Sequence, residues 1–312
     1  MTRKPGDERP RWHPRALNNG LIVGATWRGV ARLPSWLTFG IGHTGTWVAY
    51  HLLRSGTSAL IENLRGMFPD LPEQKLRDIA LRTYRSYARD TIHFMRSVSM
   101  PPDALRAQVS RLDGAALQEA LARGRGAIVV SPHFGNWELG AVLLRRVAAV
   151  PLSVVVMPEP SPAVGRLRTD LRTSVDIETI EVRQHLDTAL RIRGQTSRNQ
   201  VVAMLIDRHL DRDRVQVQFF GRPAFFLRTP GLMAYFTGAP LVPSFVYRDD
   251  DDRFVVECGP AIEVGRNGDR DENVQRATQQ VAAVIEEQIR RRPHYWYQFY
   301  PFWSSQETVG QP

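Results

Sequence analysis

The chain has 312 residues, 41 Lys plus Arg against 32 Asp plus Glu, and a formal charge of +9. Its 43% hydrophobic content and seven tryptophans exclude a disordered chain, and a single cysteine, Cys258, excludes both a disulfide framework and a thiolate metal cluster. The length suits one large domain or two small ones, ample for a real core. Lysine occurs only at Lys4 and Lys75, so guanidinium carries nearly all the positive charge. Guanidinium grips phosphate through two parallel hydrogen bonds, and the charge balance admits nucleic acid, anionic membrane or a phosphorylated substrate as partner.

Residues 1–15 are polar and rich in Arg and Pro, a loose tail with no secretory signal pattern. Residues 33–53, LPSWLTFGIGHTGTWVAYHLL, carry no formal charge. The stretch has the length of a membrane span, but its Pro, three Gly and two His make a poor transmembrane helix. Trp36, Phe39, Trp47 and Tyr50 suit a helical segment lying at the lipid–water boundary, with a buried helical hairpin as the alternative. From Pro72 to Val98 the pattern is helical, with Leu76, Ile79, Ala80, Tyr84, Tyr87, Ile92 and Phe94 near helical spacing. Leu105 to Leu121 reads as short helices or loop, closed by a turn at Gly124–Gly126.

The register changes at AIVVS, residues 127–131, a buried strand followed at once by the helix-forming WELGAVLLRRVA. LSVVVM at 152–157 is a second strand. A helix through Arg166–Arg172 follows, then a short strand at Thr179–Val182 and a helix at His185–Arg193. VVAMLI at 201–206 is a third clear strand, and VQVQFF, LVPSFV and FVVEC supply more. Residues 273–292 form an amphipathic helix with Val274, Ala277, Val281, Ile285 and Ile289 on one side. Strands alternating with helices predict an α/β fold. The expected form is a single domain with a central mixed, largely parallel sheet flanked by helices, plus the N-terminal helical membrane-contacting segment.

The sharpest local feature is SPHFGNWELG at 131–140, in which His133 follows a strand and Glu138 comes five residues later. In one unbroken helix those side chains would diverge by about 140°. A strand-to-helix turn at Phe134–Gly135–Asn136 removes the problem: Gly135 allows an unusual backbone angle and Asn136 can cap the helix. Open α/β sheets place ligand sites at such carboxyl ends. A His beside a carboxylate can deprotonate a hydroxyl. Ser131 lacks the G-x-S-x-G elbow of a nucleophile, so direct attack by a substrate hydroxyl is favoured over a covalent enzyme intermediate. A structural hydrogen bond is the bland alternative for the pair.

HFGNWE resembles the His-x4-Asp/Glu motif of the lysophospholipid acyltransferase superfamily. More narrowly, the chain resembles the bacterial lipid A lauroyl/myristoyl acyltransferases, a family that includes phosphatidylinositol mannoside acyltransferases. The stretch ENLRGMFPDLPEQKLRDIALRTYRSYARD at 62–90 is similar to the family's N-L-x-x-x-F-P segment and following helix. Residues 205–248 look like its D-x-x-x…F-F-G-x-P-A…G-A-P-x-x-P block. Where the lipid A enzymes carry a His-Arg-Arg-Phe-like run, this chain has Gln298–Phe299–Tyr300–Pro301.

The resemblance implies transfer of a fatty acyl group from an acyl-CoA or acyl-ACP thioester to a hydroxyl of a glycolipid, on the cytoplasmic face of the inner membrane. His133 would be the general base and Glu138 its orienting partner, with the N–H groups around Gly135–Asn136 or a nearby Arg stabilising the oxyanion. It also implies an acyltransferase domain over 61–305, behind a membrane-interfacial segment at 16–60, with a tail at 306–312.

Asp207 and Arg208 also follow a strand and could face His133, or simply end the strand as an ion pair. Phe220, Gly221 and Arg222 join an apolar wall to a cation, apt for acyl donor or core packing. Arg166, Arg168 and Arg172 share a predicted helix and could meet phosphates or form a solvated face. The same His–Glu pair could instead activate water, making a thioesterase or lipid hydrolase. Neither a metal nor nucleic acid is expected: the eight His show no paired ligand spacing, and the arginines are scattered. No cofactor is expected beyond the acyl-CoA or acyl-ACP co-substrate.

Overall fold

A computed structural model describes residues 29–30, 33–159, 161–182 and 185–303. The tails expected at 1–15 and 306–312 lie outside the described residues. Helix α1 (Ser35–Leu52) is followed by α2 (Arg54–Met67) and by the long α3 (Glu73–Ser97). One side of α1 packs on α3, with Phe39 against His93 at 4.9 Å and Tyr50 against Tyr84 at 5.9 Å between ring centres. The other side leaves Trp36 74% and Leu52 73% exposed, with Ile41 and Trp47 also open. The segment is thus a helical hairpin packed on one side, with an uncovered aromatic face on the other. Helix α2 runs through residue 60, the boundary drawn between the N-terminal segment and the main domain.

After α4 (Pro102–Ala107) come β1 (Val109–Asp113), α5 (Ala115–Ala122), β2 (Ala127–Ser131), α6 (Trp137–Arg146) and β3 (Leu152–Val156). The chain continues through α7 (Pro162–Thr173), β4 (Glu178–Glu181), α8 (His185–Ser197) and β5 (Val201–Leu205). A hairpin of β6 (Arg214–Phe219) and β7 (Arg222–Leu227) precedes α9 (Thr229–Thr237), β8 (Leu241–Arg248), β9 (Phe254–Cys258) and α10 (Arg270–Arg291).

Seven strands form one sheet in the order β1-β9-β8-β2-β5-β3-β4. Only the β8–β9 pair is antiparallel, so the sheet is mixed and mostly parallel, as the sequence pattern predicts. Alternation explains the unbroken apolar run of β2. Ile128 and Val130 enter the core on one face, and Ala127 and Val129 enter the core on the other. Helices α2, α3, α9 and α10 supply the first core, α4, α5 and α6 the second. In α10 the five residues predicted to share a side are all buried, and Asp269 caps the helix by accepting from the N–H of Asp271 and Glu272.

Cys258 is buried in β9, and burial pushes its thiol up to about 11, which suits a core position.

Candidate active site

Strands β2 and β5 are parallel neighbours with Ser131 opposite Leu205. Two residues beyond that register, each strand delivers one side chain, and His133 Nδ1 lies 2.7 Å from Asp207 Oδ1. The His133 main-chain N–H donates to the other carboxylate oxygen at 3.0 Å. Asp207 is 1% exposed and also accepts from Trp296 Nε1 at 3.0 Å and from Gln298 Nε2. Burial alone would raise this carboxyl; the adjacent His133 and Arg208 overcome it and bring it down to about 2. Asp207 is therefore ionised and can only accept, so Nδ1 of His133 carries the proton and Nε2 keeps its lone pair. Burial first, then Arg208, holds the imidazole below its usual range against the pull of Asp207. At neutral pH the group is a neutral base, 13% exposed, next to the Trp137 ring at 5.1 Å.

Glu138 takes a different place from the one the resemblance implies. Helix α6 begins at Trp137, so Glu138 departs on the helix, where Arg172 of α7 donates to it at 2.8 Å. Burial would raise the Glu138 carboxyl, but Arg172 and Arg168 hold it below its ordinary range. Asp207, not Glu138, is the carboxylate bonded to His133; Glu138 acts on the imidazole only through its nearby charge.

The turn is built as its sequence demands. Gly135 adopts φ 55°, and a Cβ there would sit 1.9 Å from the Val246 carbonyl oxygen. Asn136 caps α6 by accepting from Leu139 N–H, while its own amide donates to the Asp90 carbonyl at 2.8 Å. The N–H of Gly135 donates to Tyr295 and that of Asn136 to Val246, so both expected oxyanion donors are already engaged. Gly135→Ala is expected to cost about 3 kcal/mol or more, read as a shifted denaturation midpoint, because both backbone angle and space forbid a side chain.

Arg208 reaches the Tyr300 ring at 5.2 Å and the Tyr297 carbonyl at 3.5 Å. Arg168 and Arg172, four apart on α7, share a face: Arg168 pairs with Glu159 and Arg172 with Glu138, each at 2.8 Å. Arg166 is exposed and turned away by its two-residue spacing. Phe220, Gly221 and Arg222 are not brought to His133. Phe220 and Gly221, at φ 53° and 72°, form the two-residue turn between β6 and β7. Phe220 is buried beneath Arg290, and Arg222 lies over the Trp303 ring at 4.8 Å. Among the described residues no group of three or more His, Cys, Asp or Glu could hold a metal ion.

The residues that sequence reasoning missed lie in the aromatic segment HYWYQFYPFW, 294–303. It runs as a strap under the loop. Tyr297 N–H donates to the His133 carbonyl at 2.8 Å, and Trp296 and Gln298 hold Asp207. Asn63 of α2 fastens the strap by donating to the carbonyls of Gln298 and Tyr300 and accepting from Phe302 N–H. The signal available was the placement of polar Gln298 among seven aromatic residues.

A buried, preset His–carboxylate pair at adjacent strand ends of an α/β sheet is chemically able to take a proton from a hydroxyl. The family profile described as bacterial lipid A biosynthesis acyltransferase matches residues 8–305, and the chain belongs to that family. It is an acyltransferase. Its relatives include phosphatidylinositol mannoside acyltransferases from Mycobacterium tuberculosis and Mycolicibacterium smegmatis. The first (strain CDC 1551 / Oshkosh) is 27% identical over 285 residues, covering 89% of this chain and 86% of the relative. The second (strain ATCC 700084 / mc(2)155) is 26% identical over 284 residues, covering 91% and 90%.

Proposed function

We propose that the chain transfers a fatty acyl group from an acyl-CoA or acyl-ACP thioester to a hydroxyl of a glycolipid, of lipid A precursor or phosphatidylinositol mannoside type. The observation that carries this is the buried His133–Asp207 pair, Nδ1 to Oδ1 at 2.7 Å, which leaves Nε2 free to accept a proton. In the reaction Nε2 takes the acceptor hydroxyl proton as the oxygen attacks the thioester carbonyl. The tetrahedral intermediate then expels the thiolate, which His133 reprotonates. Because the Gly135 and Asn136 N–H groups are engaged, a guanidinium, with Arg208 already acting on His133, is the candidate partner of the oxyanion. Asp207 steadies the imidazolium; Glu138 with Arg172 and Arg168 forms the charged wall beside it.

The uncovered face of α1 supports work at a lipid surface, and we place the chain on the cytoplasmic face of the inner membrane. Among the described residues no helix is long and apolar enough to cross a membrane.

The test supplies purified protein with labelled acyl-CoA, and separately labelled acyl-ACP, in vesicles containing a phosphatidylinositol mannoside or lipid A precursor. Label appearing in the glycolipid is expected. Label released only as free fatty acid would sink transfer in favour of hydrolysis. In the same assay Trp36→Ser with Trp47→Ser is expected to slow reaction on vesicles and not on detergent-dispersed acceptor; equal rates would remove the surface-docking reading.

A further inference from the structure

Asp90, in the last third of α3, is a buried carboxylate, 3% exposed, that touches neither His133 nor Asp207. Two routes from it converge on the catalytic loop. Its main-chain carbonyl accepts from Asn136 Nδ2 at 2.8 Å, and Asn136 caps α6. Its carboxylate accepts from the Tyr297 hydroxyl at 2.6 Å, and the Tyr297 N–H donates to the His133 carbonyl at 2.8 Å. The loop carrying His133 is thus gripped on both sides by groups that meet at one residue of a different helix.

The charge is an expensive way to hold a tyrosine. Arg248 of β8 stands 3.5 Å from the Asp90 carboxylate and is shared with Asp252, itself paired to Arg89 of α3. The Tyr297 phenol is held protonated, pushed well above its ordinary range by burial and then by Asp90. Burial raises the Asp90 carboxyl to about 6 against Arg248 and the Tyr297 bond. A neutral amide would fill the same space and still accept from Tyr297, so packing alone does not require an ionised group here.

Resting on the reading of His133 as the base, we propose that the Asp90–Tyr297 hydrogen bond is a positioning element. Its charge-assisted strength pins the strap, and through Tyr297 N–H sets where the imidazole of His133 points. Neither residue touches substrate; both act through the main chain of the loop.

The sign of the stability effect separates this role from simple support. A carboxyl whose folded pKa is raised weakens the fold once it ionises, so at pH 8 the wild type carries that penalty and Asp90→Asn does not. Arg248 keeps Asp252 as a partner in that variant. Asp90→Asn is therefore expected to melt several degrees higher at pH 8, yet to lose about tenfold in kcat with KM for the acyl donor changed less than twofold. Tyr297→Phe should show the same kcat loss without the gain in melting temperature, and the double variant should be no slower than the worse single one.

Unchanged kcat in Asp90→Asn and Tyr297→Phe, or additive losses in the double variant, would overturn the proposal. So would a KM that rises by the factor kcat falls, since that reports lost binding. His133→Gln is measured alongside. If it stays active, the base reading and this proposal both fall. If it is dead while the Asp90 and Tyr297 variants run at full rate, only the positioning role falls.

Discussion

Replacing His133 by Gln is expected to slow acyl transfer by about three orders of magnitude or more while leaving the melting curve near that of the parent. Gln is close to His in size and can keep a donor toward Asp207, so the substitution removes the chemistry with little loss of packing. Nε2 is the ring nitrogen whose lone pair is left to take a proton, and Gln has no group that accepts a proton at neutral pH. Single-turnover transfer of a labelled acyl chain reads the effect. Retention of activity within tenfold would show that another group takes the proton.

Asp207→Asn should lose about two to four orders of magnitude, by a different route. An amide at 207 can donate to Nδ1, which moves the imidazole proton to Nε2 and turns the base the wrong way. The pH profile carries the diagnosis. In the parent, activity rises as His133 loses its proton, and that limb lies below the ordinary histidine range because burial and Arg208 depress the group. Asp207 works against that depression, so removing its charge is expected to move the acid limb to still lower pH. A limb that moves to higher pH would contradict the assignment.

Stability gives a second check. The Asp207 carboxyl is depressed to about 2, so its contribution is present above the ordinary carboxylate range and fades as pH falls from about 4 to 2. The variant should lack that acid-sensitive loss. Its denaturation midpoint should depend less on pH between those limits.

Much of the fold was legible because burial writes a local signature. AIVVS and VVAMLI are apolar at consecutive positions, as strands covered on both faces must be, and both are central in the sheet. The elements that escaped have mixed local signals. Strand β1, VSRLD, is an edge strand with two of its five residues intermediate and three exposed, so its pattern is that of a loop. Strand β7 carries Pro223, which argues against a strand, and α9 carries Gly231 in its first turn and spans only nine residues, too short to show a helical period.

At the site, His133 and the Gly135–Asn136 turn could be read because their geometry is encoded within six residues. The pairing with Asp207 could be suspected only from its position after a strand, since strand order is not written in any one segment. Glu138 misled by proximity in sequence: five residues on, the chain has become a helix whose partner, Arg172, lies 34 positions away. The strap was opaque for the same reason.

The strap also orders events in time. A ribosome delivers β2 and β5, with His133 and Asp207, well before it delivers Tyr295 to Phe302. Yet the bonds that seat the loop join residues 207 positions apart in one case and 239 in another. A nascent chain can lay down its sheet and present the aromatic face of α1 while the His133 loop is still unbraced. A chain stalled short of residue 295 would therefore carry His133 and Asp207 without the strap that seats their loop.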